Sequence, residues 1–243
     1  MQPASSGAIP PELAGCMSLK HLDVSKNRLA GPIPVAVLKL RYAAKRVVHL
    51  EGNAGLEIPP DVGELTETVA RDKGVDLGNL GLVGPIPVAV LRWKFVEGHD
   101  VNLRDNAALE LPANIGELGD TVATIALSHH HLRGRIPEDI GLCTALRELW
   151  LVNNDIEGAI PASMQRLKQL EMLYLSFNSD LQKPPGIKGD HLVFGIKKTT
   201  QRFLASLTAN RGARPGSPAR RRKGGSPERG TMRPESTLSL IHI

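Results

Sequence analysis

One frame recurs seven times along this chain, and no other feature constrains its fold as tightly. The clearest copy reads Leu146-x-x-Leu149-x-Leu151-x-x-Asn154-x-Ile156-x-Gly158-x-Ile160-Pro161. The same frame holds Leu19, Leu22, Val24, Asn27, Leu29, Gly31, Ile33 and Pro34. Five looser copies centre on Val48/Leu50/Asn53, Val75/Leu77/Leu80, Val101/Leu103/Asn106, Ile125/Leu127/His130 and Leu173/Leu175/Asn178. Successive motif positions lie 26, 27, 26, 24, 24 and 24 residues apart. A repeat of that length cannot bury its own apolar edge, so copies must stack into a continuous core.

The residue types explain the frame. Leu-x-Leu alternation puts two apolar side chains on one face of a short strand. An Asn at the following turn can bond backbone groups that would otherwise be buried unpaired, at ~1–3 kcal/mol each. Ile-Pro opens the return side, where proline fixes φ and needs no donor. This pattern resembles the leucine-rich repeat, and the Gly-x-Ile-Pro endings at Gly31–Pro34, Gly84–Pro87, Gly134–Pro137 and Gly158–Pro161 resemble its plant-type subclass, as in receptor-like kinases and receptor-like proteins. The resemblance covers residues 7–186. It implies an α/β fold: a right-handed solenoid of about seven repeats, with short parallel strands on the concave face and short helices, turns or loops on the convex face.

Asn27, Asn53, Asn106, Asn154 and Asn178 are the expected structural ladder, whereas Leu80 and His130 occupy the ladder position in repeats three and five. Leucine cannot make the polar bonds, so the ladder should weaken locally at Leu80. A second repetition lies above the first. Residues 31–70 align with 84–123 at 21 of 40 positions, which reads as duplication of a two-repeat unit. Val35–Lys45 and Val88–Glu97 read as short convex helices, with Tyr42 and Phe95 packing against the next repeat.

Aromatic residues make up 3% of the chain, so a core drawn from its 41% hydrophobic content must be aliphatic. Cys16 and Cys143 occupy equivalent positions in different repeats, which lie far apart in a solenoid. Both are expected to be small buried hydrophobes, without a disulfide. The net charge of +5 is uneven: residues 187–243 carry +9 and residues 1–186 carry −4. The chain begins inside a repeat, which suggests N-terminal truncation. Residues 187–211 read as a C-terminal cap or a degenerate eighth repeat. Residues 212–243 form a basic tail expected to be disordered. Within the tail, 238–243 resemble the translated end of a transposon used in sequencing libraries, an expected artefact.

No catalytic motif is present, whether a phosphate-binding loop, a nucleophile elbow or a zinc helix signature. His129-His130-His131 does not read as a metal site, because adjacent residues on a strand or turn point in different directions. The chain therefore reads as a non-enzyme with no cofactor and no metal. Strand residues alternating with the motif leucines should face outward on the concave side. There the last repeats gather Trp150, Tyr174, Met172, Val152 and Glu148, a composition typical of interface hot spots. The expected partner is a protein or peptide, not a nucleic acid, bound as part of a larger receptor-like signalling protein. The alternative is an intracellular scaffold, or the regulatory segment of an enzyme whose catalytic domain lies elsewhere. No run of 18 apolar residues, no signal peptide and no Asn-x-Ser/Thr site occurs. Those features point to the cytoplasm, with the plasma-membrane ectodomain of a longer protein as the alternative.

Overall fold

The computed structural model describes residues 7–16, 19–42, 46–67, 74–182, 192–195 and 197–209. The tail expected at 212–243 and all of 183–191 lie outside them. Each repeat but the fifth contributes two short strands separated by the ladder turn, and the fifth contributes one. In chain order the first three repeats hold β1 (His21–Asp23) and β2 (Ala30–Pro32), β3 (Val47–His49) and β4 (Gly55–Glu57), then β5 (Val75–Asp76) and β6 (Val83–Pro85). Repeats four and five supply β7 (Val101–Asn102), β8 (Ala108–Glu110) and β9 (Thr124–Ala126). The last two repeats supply β10 (Glu148–Trp150), β11 (Gly158–Ala159), β12 (Met172–Tyr174) and β13 (Leu181–Gln182). The chain closes with β14 (Val193–Phe194) and a helix at Lys197–Ala209. All pairings within the repeats are parallel. The architecture is the right-handed α/β solenoid that the repeat frame implies.

The strands form two rows, and only one was expected. The first row, β1, β3, β5, β7, β9, β10 and β12, carries the Leu-x-Leu segments. Leu149, Leu151, Leu173 and Leu175 point inward from it and are fully buried. The second row is built from the segments leading into Gly-x-Ile-Pro, with β2, β4, β6 and β8 paired in order and β11 paired with β13. Isolated bridges Glu110–Arg133 and Arg135–Glu157 carry it between these groups. The motif glycines let the second row form. Gly134 has φ +71°, a region side chains disfavour, and Glu110 of the neighbouring repeat lies 3.3 Å from where a Cβ would stand.

Convex segments differ between repeats, and the 27-residue copy carries a 3-10 helix at Val62–Glu67. Two longer repeats accommodate α1 (Val35–Tyr42) and α2 (Val88–Phe95), which bury Val37, Leu38, Val90, Leu91 and Trp93. The 24-residue repeats make do with single 3-10 turns at Glu138–Leu142 and Ala162–Arg166. These turns stack closely: a Cβ on Gly141 would stand 2.5 Å from Ser163 O and 2.7 Å from Ser163 Cβ. Gly141→Ala is therefore expected to cost ~1–3 kcal/mol by forcing two repeats apart. An unchanged midpoint in thermal unfolding would show that the turns can separate freely.

The ladder explains where the concave sheet holds and where it breaks. Asn154 Oδ1 accepts from the backbone N–H groups of His130 and Leu132, both at 3.0 Å. Its Nδ2 donates to Leu127 O at 2.9 Å and Leu151 O at 3.1 Å. Each ladder Asn thus ties its own repeat to the preceding one. Asn53, Asn106 and Asn178 do the same from buried positions. Asn27 differs: it is exposed, and its amide bonds only within its own turn, to Val24 O and Ser25 O. First-row pairing runs β1–β3, β5–β7 and β9–β10–β12. Its two interruptions fall where the later repeat carries Leu80 or His130 instead of Asn. At the first interruption, Tyr42 Oη donates to Asp76 O at 3.0 Å. The equivalent carbonyls of His49, Asn102, Trp150 and Tyr174 accept N–H groups from the preceding repeat. Burial pushes the Tyr42 phenol up to about 12.

His130 is buried, and its Nδ1 lies 2.7 Å from Ser128 O within its own turn. Burial, the largest cause, lowers its pKa from 6.5, outweighing the Ser128 carbonyl bond that raises it. The unfolded chain therefore binds the proton more readily, so stability falls as pH drops through about 6.5 towards the lowered folded value. His130→Asn is expected to remove that dependence and to stabilise the array by ~1 kcal/mol through bonds to repeat four. Urea titrations at pH 5.5 and 8 test this, and an unchanged pH slope would sink it.

The cysteines need one correction. Cys143 is fully buried, its Sγ 3.5 Å from Ile115 O of the preceding repeat, and burial raises its pKa to about 11. Cys16 is exposed, not buried. Its frame position is the same, but among the described residues no earlier repeat packs over it.

At the other end, β14 runs antiparallel to β12, so it does not continue the repeat. The C-terminal helix, α3 (Lys197–Ala209), packs on the 3-10 turn of the last repeat and buries Phe203 and Leu204. Gln201 Nε2 donates to Leu167 O at 2.9 Å and Leu170 O at 3.1 Å, tying the helix to the end of this turn.

Candidate functional site

Strand alternation places the concave side chains. Register sets Glu148 beside Thr124 and Met172, and Trp150 beside Ala126 and Tyr174. Leu149 faces the core, so Glu148 and Trp150 share the outer face. The Trp150 and Tyr174 rings lie 4.5 Å apart, tilted at 33° to each other. Trp150 remains 36% exposed, and its Nε1 donates to Glu148 Oε2 at 3.2 Å. Met172 and Val152 are half-buried around the pair, and Val152 N–H donates to Ser128 Oγ at 3.1 Å. The five residues singled out from sequence therefore lie on adjoining strands and their immediate continuation.

Among the described residues the C-terminal segment borders this patch: a Cβ on Gly195 would stand 3.4 Å from Tyr174 Oη, while Trp150 stays exposed. Val193 stands opposite Tyr174 in the antiparallel register and is 48% exposed. Ser176, an outward position in the frame, is instead buried: its Oγ accepts from Leu192 N–H at 2.9 Å. Two exposed apolar residues near the patch escaped the sequence reading. Val193 belongs to no repeat, so no frame could place it. Phe177 is 55% exposed and could have been found. It sits just before the ladder residue, where all seven repeats take positive φ, and the other six carry Lys26, Gly52, Asn79, Asp105, His129 and Asn153. A large apolar side chain stands out in that polar column.

The other half of the concave face is polar and internally bonded. Asn102 Nδ2 donates to Asp76 Oδ1 at 2.9 Å, and Ser25 Oγ to Asp23 Oδ1 at 2.6 Å. The Asp23 carboxyl is held below its usual range, first by the Ser25 hydroxyl and then by the Ser25 N–H. His21 and His49 rings lie 5.4 Å apart. In the histidine run, His129 and His131 are exposed while His130 is buried. Among the described residues no three His, Cys, Asp or Glu side chains converge on a metal position, and no helix is long and apolar enough to cross a membrane.

A family model described as Leucine Rich Repeat matches residues 18–40 and 145–167. Over 57 residues, 24% of this chain, the sequence is 44% identical to a probable leucine-rich-repeat receptor-like serine/threonine-protein kinase of Arabidopsis thaliana. Over 165 residues, 68% of the chain, it is 26% identical to an adenylate cyclase of Schizosaccharomyces pombe. The matched segments span 6% and 9% of those two relatives. Among solved structures, the ectodomain of the Arabidopsis thaliana membrane receptor kinase GASSHO1/SCHENGEN3, in complex with Casparian strip integrity factor 2, is 31% identical with a TM-score of 0.35. That alignment covers 70% of this chain and 22% of the ectodomain. With seven copies of one frame, a buried asparagine ladder and a strand row built on Gly-x-Ile-Pro, this chain is an array of leucine-rich repeats and is similar to the plant-type subclass.

Proposed function

We propose that this chain recognises a protein or peptide through the concave face of its last three repeats, as part of a larger receptor-like signalling protein. The observation that carries the reading is the exposed Trp150 in tilted ring contact with Tyr174, with Met172, Val152 and Glu148 around the pair. Trp150 is 36% exposed and Tyr174 half-buried, so a covering partner recovers a part of the ~1.5–3 kcal/mol that full burial of each side chain is worth. Aromatic and methionine side chains are enriched at interface hot spots. The kinase relative supports the receptor-like setting. In this reading the array acts by binding and has no chemistry of its own.

Selection of peptides from a random display library on the full chain tests the site. The Trp150→Ala, Tyr174→Ala double variant is expected to fold and to lose the selected binders. Binders that survive in that variant would move the site to the polar half, around Asp23, His49, Asp76 and Asn102.

A second reading is supported by the longer match. The cyclase relative aligns over 68% of this chain, which fits a regulatory segment attached to an enzyme. The binding chemistry would be the same, and the sequence flanking these residues in the gene separates the two.

A further inference from the structure

We infer that the partner docks an arginine side chain on the open face of Trp150, with its charge received by Glu148. This rests on the recognition reading above and names the chemistry of the partner at that site. Tyr174 occupies one face of the indole at 4.5 Å. The opposite side belongs to repeat five, where the register partner is Ala126, a methyl group too small to cover the ring. Trp150, which stays 36% exposed, therefore has a large neighbour on the Tyr174 side and a small one on the Ala126 side.

The electrostatics of the slot select a cation. An indole face carries negative quadrupole potential and is the best aromatic surface for a cationic group. Glu148 is the one formally charged residue among the outward strand positions of the last three repeats. Its carboxylate is held beside the indole by the Trp150 Nε1 bond at 3.2 Å, which engages Oε2. Among the described residues Glu148 forms no ion pair, so its negative charge is uncompensated on this face. A guanidinium is planar, stacks on an aromatic face and donates in its own plane to a carboxylate. It satisfies both features at once, whereas an ammonium is a compact, strongly hydrated point charge.

The fluorescence of the protein can report the contact directly. Of the two tryptophans, Trp93 is buried on α2, so changes on ligand addition arise at Trp150. The probes are peptides selected by display on the full chain, each paired with a copy in which arginine is replaced by citrulline. Selected peptides are expected to share an arginine, to perturb Trp150 emission, and to bind about tenfold more weakly as citrulline copies. Glu148→Gln keeps an acceptor for the indole N–H, and Trp150→Leu keeps an apolar side chain. Each variant is expected to abolish most of the difference between arginine and citrulline peptides.

Equal binding of the two peptides, or a preference unchanged in Glu148→Gln, would overturn the arginine assignment. Binding still lost in the Trp150→Ala, Tyr174→Ala variant would then leave the recognition reading standing. Binding indifferent to both aromatics would remove both.

Discussion

Replacing Asn154 with alanine is expected to destabilise the array by about 3 kcal/mol, whereas Asn27→Ala costs under about 1 kcal/mol. Both residues hold the same place in the frame, so the contrast isolates what the ladder does. Asn154 is 6% exposed and serves two N–H groups and two carbonyls across a pair of repeats. Alanine leaves the N–H groups of His130 and Leu132 without these acceptors in an interior that water does not reach. Each such loss costs ~1–3 kcal/mol. Asn27 is exposed, bonds only its own turn, and water can replace it. Urea denaturation of the two variants measures the difference, and equal effects would remove the ladder argument. The loss should also appear as faster amide exchange where β9 meets β10, since those strands depend on the same residue.

The second large effect is expected at the C-terminal end. Phe203→Ala with Leu204→Ala should destabilise the last repeat by at least about 3 kcal/mol. Single core truncations of these types cost ~2–5 kcal/mol. Phe203 stacks on Phe194 at 4.2 Å and 19°, and Leu204 is 1% exposed. The full sum need not be reached. In a solenoid each unit is stabilised by its neighbours, so the penalty saturates once the terminal segment undocks. Hydrogen exchange should then show β12 opening at lower free energy while β1 to β8 keep their protection. Uniform loss along the whole chain would mean that the array unfolds as one cooperative block.

These expectations differ in how visibly they are written in the chain. The strand row with Leu149 and Leu151 inside follows from alternation within three residues, and the ladder follows from one position per repeat. The interruptions of the concave sheet follow too, because Leu80 and His130 are visible departures from that position. The second strand row was not legible. Gly-x-Ile-Pro is turn chemistry on its own, and it becomes a strand only when neighbouring copies supply its hydrogen bonds. The patch at Trp150 was legible as a list of outward residues, but not as a tilted ring pair with Glu148 bonded to the indole N–H. Ring tilt and the Glu148 bond depend on side chains of neighbouring repeats. Phe177 was legible and overlooked.

What the sequence determined by itself is whatever repeats: the period, the inward leucines, the turn residue that bridges copies, and the convex helices that two copies open with the same Val-Ala-Val-Leu. Each copy states these again, so local chemistry suffices. Only the tertiary structure decided what happens where repetition stops. Cys16 and Cys143 share one frame position, yet one is exposed and the other buried, because burial there depends on a preceding repeat. Residues 192–209 could read as cap or repeat until the direction of β14 was known, and that direction is set by the edge of β12. A stacked array buries its interior by symmetry, but its ends must be covered by whatever chain is at hand, and no periodic pattern specifies that contact.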